Sequence, residues 1–325
     1  MARNIRNQVI LAKIETTSGT DSVPVSGTNA MLASKPKITP LSANNVDRDL
    51  VRNYFGASEQ LVGTRFVQAE IEIELAGSGV LGTAPAFGVL LRACALAETI
   101  VAATRVDYTP ITSAQESATL YWYDDGVLHK LLGARGTVKF GLTAGNRPTM
   151  MFMLSGLYST PTAATVGATN FASFMTPQVV TDANSGDIII GGSVSPTGAP
   201  AITGGTLYPS LGLDLDLGNT VQFNPVLGGE AIDITGRSVT GSVKLDLTAA
   251  QEVANYGIVV ANTLQAVSFQ HGSVGANKLI VHLPSAQLAS PSKDEINGRR
   301  LIGYALRAVP TPGGAGNDEL RLAFY

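Results

Sequence analysis

Apolar and polar residues alternate strictly in the second half of the stretch 56–75, GASEQLVGTRFVQAEIEIEL: Glu70, Glu72 and Glu74 fall on one side, Ile71, Ile73 and Leu75 on the other. Successive side chains of a β-strand point to opposite faces, so this pattern predicts a strand with one dry face and one acidic face in water. The pattern occurs twice. Residues 228–247, GGEAIDITGRSVTGSVKLDL, lie over the first stretch without a gap. Gly56 meets Gly228, Arg65 meets Arg237, Ile71 meets Val243, Ile73 meets Leu245 and Glu74 meets Asp246. A glycine, an arginine and a dry strand face recurring in register predict a duplicated fold unit.

The remaining chain reads as short strands joined by turns. Residues 1–45 hold an apolar segment at 9–14 and then a Ser/Thr/Gly/Pro-rich stretch, where Pro24, Pro36 and Pro40 forbid a regular helix. They are expected as an arm laid across a neighbour or a sheet edge. VDRDLVRNYF at 46–55 alternates and predicts a strand. Beyond Gly77, Gly79 and Gly82 the period changes: Phe87, Leu90, Leu91 and Cys94 recur at helical spacing, predicting a helix within 84–97. Strands follow at 104–109 and 118–123, then a hairpin turn at Asp124-Asp125-Gly126, a strand through Val138 and Phe140, and another over 149–158. Residues 159–185 have linker composition.

In the second half the strand pattern resumes at 187–190 and 207–218. Downstream, Phe87-Gly88-Val89-Leu90-Leu91 meets Tyr256-Gly257-Ile258-Val259-Val260. Arg135, Val138, Phe140 and Leu142 meet Arg299, Ile302, Tyr304 and Leu306, and MFMLSGLY meets ELRLAFY. The expected organisation is an arm (1–45), a first domain (46–158), a linker (159–185) and a second domain (186–325), mainly β, each domain with one flanking helix.

Composition narrows the function. Charged residues make up 14% and the net charge is −3, which leaves no basic footprint for tight nucleic-acid binding. The single cysteine, Cys94, excludes an intrachain disulfide and a cysteine-rich metal site, and on a helix face it reads as core. The first residues, MARNIRNQVILAKIETT, lack the pattern of a signal peptide, and no apolar run approaches the ~20 residues of a membrane helix. The chain is expected to be made in the cytoplasm and to be soluble, without membrane insertion.

Candidate chemistry is sparse. His129, His271 and His282 are scattered without ligand spacing and read as sheet or surface histidines. Neighbouring carboxylates on one strand face stand about 7 Å apart, too far to grip one ion without curling together, so Glu70, Glu72 and Glu74 read as a solvated acidic face. Asp124-Asp125-Gly126 lacks the further positions of a calcium loop. The glycines at 77–82 lack the parallel βαβ setting of a dinucleotide site. No catalytic group, metal site or cofactor is expected.

The stretches VRNYFGASEQLVGTRFVQAEIEIELAGSG, GTAPAFGVLLRACALAE and SATLYWYDDGVLHKLLGARGTVKF resemble the tail tube (major tail) proteins of long-tailed bacteriophages. The resemblance is clear over 46–158 and reaches the second half through the internal repeat. It implies a β-sandwich or half-barrel of orthogonal sheets with a flanking helix, present twice. It also implies a structural virion protein that assembles into stacked rings around a lumen through which DNA passes, with no enzymatic activity. Some relatives carry two copies of the fold and form trimers that mimic six-fold rings; others carry one copy plus an outward decoration. A homotrimer is expected here, with a homohexamer as alternative. The implied partners are other copies of the chain, tail tip and tail terminator proteins, and the tape measure protein and DNA transiently in the lumen. Glu70, Glu72, Glu74, Lys244 and Asp246 are the candidate lumen residues, where an acidic lining would repel phosphates; an outward face or pairing across rings are the alternatives. Another virion β-protein, a capsid decoration or tail adaptor, is the runner-up. An outer-membrane barrel is disfavoured by the 6% aromatic content.

Overall fold

The computed structural model describes residues 3–325. Its first half comprises β1 (Gln8–Ile14), β2 (Ala33–Asp47), β3 (Gln60–Glu74), helix α1 (Gly88–Ala93), β4 (Leu96–Val101), β5 (Arg105–Pro110), β6 (Ala118–Asp124), β7 (Val127–Thr143) and β8 (Thr149–Tyr158). Its second half comprises β9 (Ile188–Ile190), β10 (Ser210–Asp216), β11 (Asn219–Asn224), β12 (Ala231–Arg237), β13 (Thr240–Leu245), helix α2 (Ala249–Val260), β14 (Leu264–His271), β15 (Leu279–Ile296), β16 (Arg299–Ala308) and β17 (Arg321–Phe324). The fold is mainly β, as the alternation predicts, and nearly all of these strands join one extended antiparallel sheet.

The two halves pair their strands in the same order. The first runs β1–β6–β7–β8–β3–β2. The second runs β9–β14–β15–β16–β13–β10. In each, a helix follows the strand that carries the recurring pattern. The register agrees too: Ile71 faces Phe152 as Val243 faces Tyr304, and Ile73 faces Met150 as Leu245 faces Ile302. Both edge hairpins slip register at the same place, with a left-handed residue there, Lys35 (φ 46°) and Gly212 (φ 95°).

Pairing order corrects two of the downstream matches. The strand that takes the place of β7 is β15, and β16 takes the place of β8, so matching 135–142 to 299–306 ran one strand out of step. Every dry-faced strand carries the same period of two, and a slide by one strand costs the pattern nothing. Three local expectations also change. Residues 48–59 form no strand; they are the exposed tip of the β2–β3 hairpin, where no partner chain segment supplies a ladder. Helix α1 is shorter than 84–97, because Ala95 is left-handed (φ 58°) and Leu96 opens β4. Residues 8–14 and 33–47 are strands of the sheet, and Ile10, Leu11 and Ala12 are core. The Asp124-Asp125-Gly126 turn forms as expected, with φ of 40° and 92° at its last two residues.

One contiguous cluster of buried apolar side chains runs through both halves, from Ile71, Trp122 and Phe152 to Val243, Phe269 and Tyr304. Full burial of each such side chain stabilises by about 1.5–3 kcal/mol. Strands of the two halves pair at two places. At one, β7 pairs with β10, Phe140 facing Leu215. At the other, β17 lies between β5 and β15. The linker between them packs along the first half: the Val180 amide donates to the Asn146 carbonyl (3.0 Å), and its side chain is buried.

Candidate functional site

Eight strands run continuously edge to edge in the order β2–β3–β8–β7–β10–β13–β16–β15, four from each half. One face carries the core residues. Cross-strand partners share a face, so the other can be followed along the rows. Glu72 stands opposite Met151, which faces Lys139, which faces Asp216, which faces Thr240. Ser242 and Lys244 continue the side of Thr240 at alternate positions, and Asp246 follows one residue past the end of the strand, where it pairs with Arg299 at the start of β16. The structure thus brings Glu70, Glu72, Glu74, Lys244 and Asp246 to one face of one sheet.

That face is not a free acidic surface. The Glu72 side chain is only 7% exposed; its carboxylate meets Lys35 Nζ at 2.7 Å and Arg147 at 2.8 Å, and accepts from Ser34 Oγ at 2.8 Å. Burial alone would raise the Glu72 pKa, but the hydrogen bonds from Lys35 and Ser34 and the charges of Lys35 and Arg147 hold it below its ordinary value. Glu74 pairs with the other arm of Arg147 (2.7 Å), Glu70 with Lys37 (3.4 Å) and Lys244 with Asp294 (3.3 Å). Asp246 pairs with Arg299, and Lys139 bridges the junction of the halves to Asp216 at 3.2 Å. Strand alternation located the carboxylates but missed their cations, which come from the edge strand and from hairpin turns. The Lys-Pro-Lys spacing at 35–37 was the available signal.

Two hairpins extend from this sheet. In the second half the hairpin bends: β10 passes into β11 at Gly218, whose φ of 62° and approach to the Ser238 carbonyl leave no room for a Cβ. The bent part, β11–β12, lies back on the first half. Arg135 donates to the Ile232 carbonyl, Phe223 stacks on Phe66 with ring centroids 5.3 Å apart, and Asn219 Nδ2 donates to the carbonyls of Cys94 (2.7 Å) and Gly136 (2.9 Å). A basin of about 330 Å³ beside them is lined by Asn219, Val221, Glu70, Thr137 and Met153. In the first half Leu41 stands where Gly218 does, counting along the matched registers, and β2–β3 runs on without that fold-back. Its Leu41, Val46, Leu61 and Val62 are exposed, as are Val51 and Phe55 at its tip.

The remaining candidates are structural. Cys94 is buried, which pushes its thiol pKa up and keeps it protonated. His271 bonds Ser185 and the Gln178 carbonyl; His282 bonds Ser268, and burial with Arg321 nearby pushes it down to about 4. Among the described residues no group of three His, Cys, Asp or Glu side chains has metal-binding geometry. Among the same residues no helix is long and apolar enough to cross a membrane. A family model described as phage tail tube protein matches residues 5–324. A search of curated proteins returns no match.

Proposed function

The chain belongs to the phage tail tube protein family, a structural and non-enzymatic component of the virion tail, and from that premise we propose that three copies close head to tail into a ring of six sheet units. Rings stack into the hollow tube through which DNA passes. The observation that carries this reading is the β7–β10 junction, where two four-stranded sets with one pairing order already join edge to edge within a chain. A sheet of eight strands ending in two open edges, β2 and residues 288–296 of β15, is the repeating part of a barrel, and three chains supply roughly 24 strands. A ring of six chains with the second half projecting outward is the alternative; the unbroken sheet across the junction favours three.

In this reading the two halves are tandem copies of the tube fold. Glu70, Glu72, Glu74, Lys244 and Asp246 line the lumen, beside the cations that pair with them. A lining of locally neutralised charge offers phosphates neither a basic track to bind nor a strong repulsive field. Tail tip and tail terminator proteins cap the ends, and the tape measure protein and DNA occupy the lumen in turn. The protein is made in the host cytoplasm and ends in the virion. Cryo-electron microscopy of assembled protein, with symmetry tested rather than imposed, decides it. Rings of three chains with pseudo-six-fold density are expected; rings of six chains would overturn the tandem arrangement and keep the tube.

A further inference from the structure

The junction inside the chain is a template for the junction between chains. Matching registers, Lys37 faces Glu70 as Asp214 faces Ser242, and Asp294 faces Leu301 as Gly141 faces Thr149. Asp214 itself faces Gly141 across the internal junction. Resting on the ring reading, we propose that 35–39 of one copy pairs antiparallel with 292–296 of a second copy, with Lys37 opposite Asp294 and Thr39 opposite Ser292. The two segments are complementary in charge: Lys35 and Lys37 on one edge, and Asp294 and Glu295 on the other, where Lys293 is paired with Glu252 of helix α2. All four lie at open edges of the sheet.

The same template makes the outer junction weaker in main-chain bonds. Inside the chain the Leu217 amide donates across the junction to the Val138 carbonyl at 3.0 Å. With a period of two, the amides of Leu213 and Leu215 point the same way. The matching positions on the free edge are Pro36, Ile38 and Pro40, of which only Ile38 has an N–H to give. The edge that must find a second copy therefore selects by charge and is blunted against indiscriminate strand addition.

Paired cysteines test the register, since the native Cys94 is buried and does not compete. Under mild oxidation Lys37→Cys with Asp294→Cys is expected to give covalent dimers and trimers. Lys37→Cys with Ser292→Cys, two residues out of register, is expected to give at least tenfold less. Equal or stronger linkage of the second pair, or none in the first, overturns the junction. Native mass spectrometry of the unsubstituted protein separates the two readings. Trimers without the linkage sink the junction alone; single chains at every concentration sink the ring as well. Pro36→Leu with Pro40→Leu is expected to lower the concentration at which light scattering detects assembly about tenfold, and an unchanged or higher threshold overturns the blunted edge.

Discussion

The two hairpins that leave the eight-stranded sheet start alike and end in different surroundings. The second bends at Gly218, buries Ile232 and seats Phe223 on the first half, leaving Val226 and Leu227 exposed only at its tip; the first runs on and leaves Leu41, Val46, Leu61 and Val62 along its length in water. The seated hairpin shows what its counterpart lacks. Burial that the chain supplies to one of them is available to the other only from a second molecule. The paired arginines Arg237 and Arg65 express the difference at one position. Arg237 is 10% exposed, donates to the Ile111 carbonyl at 3.0 Å and pairs with Glu319, itself 12% exposed, at 3.1 Å. Arg65 is exposed and only lies over the Tyr158 ring, 4.9 Å from its centroid.

The largest expected effect breaks that contrast. Arg237→Met strands the Glu319 carboxylate and is expected to cost about 3–5 kcal/mol in urea unfolding. Arg65→Met removes an exposed cation–π contact and is expected to cost less than about 1 kcal/mol in the unassembled protein. Equal losses would mean that the hairpins are equivalent in the isolated chain, contrary to the packing.

The junction built by β5, β17 and β15 supplies the next test. There Arg321 of β17 pairs with Asp107 of β5 at 3.1 Å, and His282 on β15 is buried beside it. Burial first, and the Arg321 charge second, push His282 down to about 4 from an ordinary 6.5. A depressed folded-state pKa means that the unfolded chain takes up the proton first. The contribution of His282 is therefore complete above about pH 6.5 and is lost as pH falls toward 4, by up to about 3 kcal/mol. Urea midpoints at pH 7 and pH 4.5 should converge in His282→Gln and stay apart in the parent. A His282→Gln protein with the parent's full pH slope would assign that slope to other groups.

Part of this was legible in the sequence. The alternation over 70–75 and its echo at 242–247 located strands that sit at equivalent places in the two halves of one sheet, and Asp125-Gly126 located a hairpin. The later matches failed because dry-faced strands look alike and only pairing order tells them apart. The strand expected over 46–55 failed beyond Asp47 because alternation reports a pattern, while a ladder needs a neighbour. Charge on the polar face was misread for the same reason. Glu72 is neutralised by Lys35 from across a hairpin and by Arg147 from a turn, and no local window contains all three.

A smaller test separates carboxylates on that face. Glu72 has a 7% exposed side chain and Glu70 a 49% exposed one, so Glu72→Gln is expected to cost about 1–2 kcal/mol and Glu70→Gln less than about 0.5. Because the Glu72 pKa is depressed, its contribution is complete above about pH 4.5 and is lost as pH falls through the lower folded value. The stability difference between parent and Glu72→Gln should therefore shrink on acidification, measured by thermal unfolding between pH 6 and pH 3. A difference independent of pH would show that the loss is one of packing.

The smallest expected effect contrasts α1 and α2, the helices that follow the recurring strand in each half. Helix α1 has six residues and no side-chain cap, yet Leu90, Leu91 and Cys94 are fully buried, so packing holds it. Helix α2 has twelve residues, buries only Asn255 fully, and leaves Val253 and Val260 exposed. It relies instead on a capping box: the Gln251 amide donates to Thr248 Oγ1 at 3.3 Å, while the Thr248 amide donates to Gln251 Oε1 at 2.9 Å. Thr248→Ala is expected to cost about 1 kcal/mol, mostly as local opening. Hydrogen exchange should show α2 amides about fivefold faster while the urea midpoint moves little. Faster exchange throughout the second half would instead tie α2 to the global unfolding unit, making packing rather than capping the support of both helices.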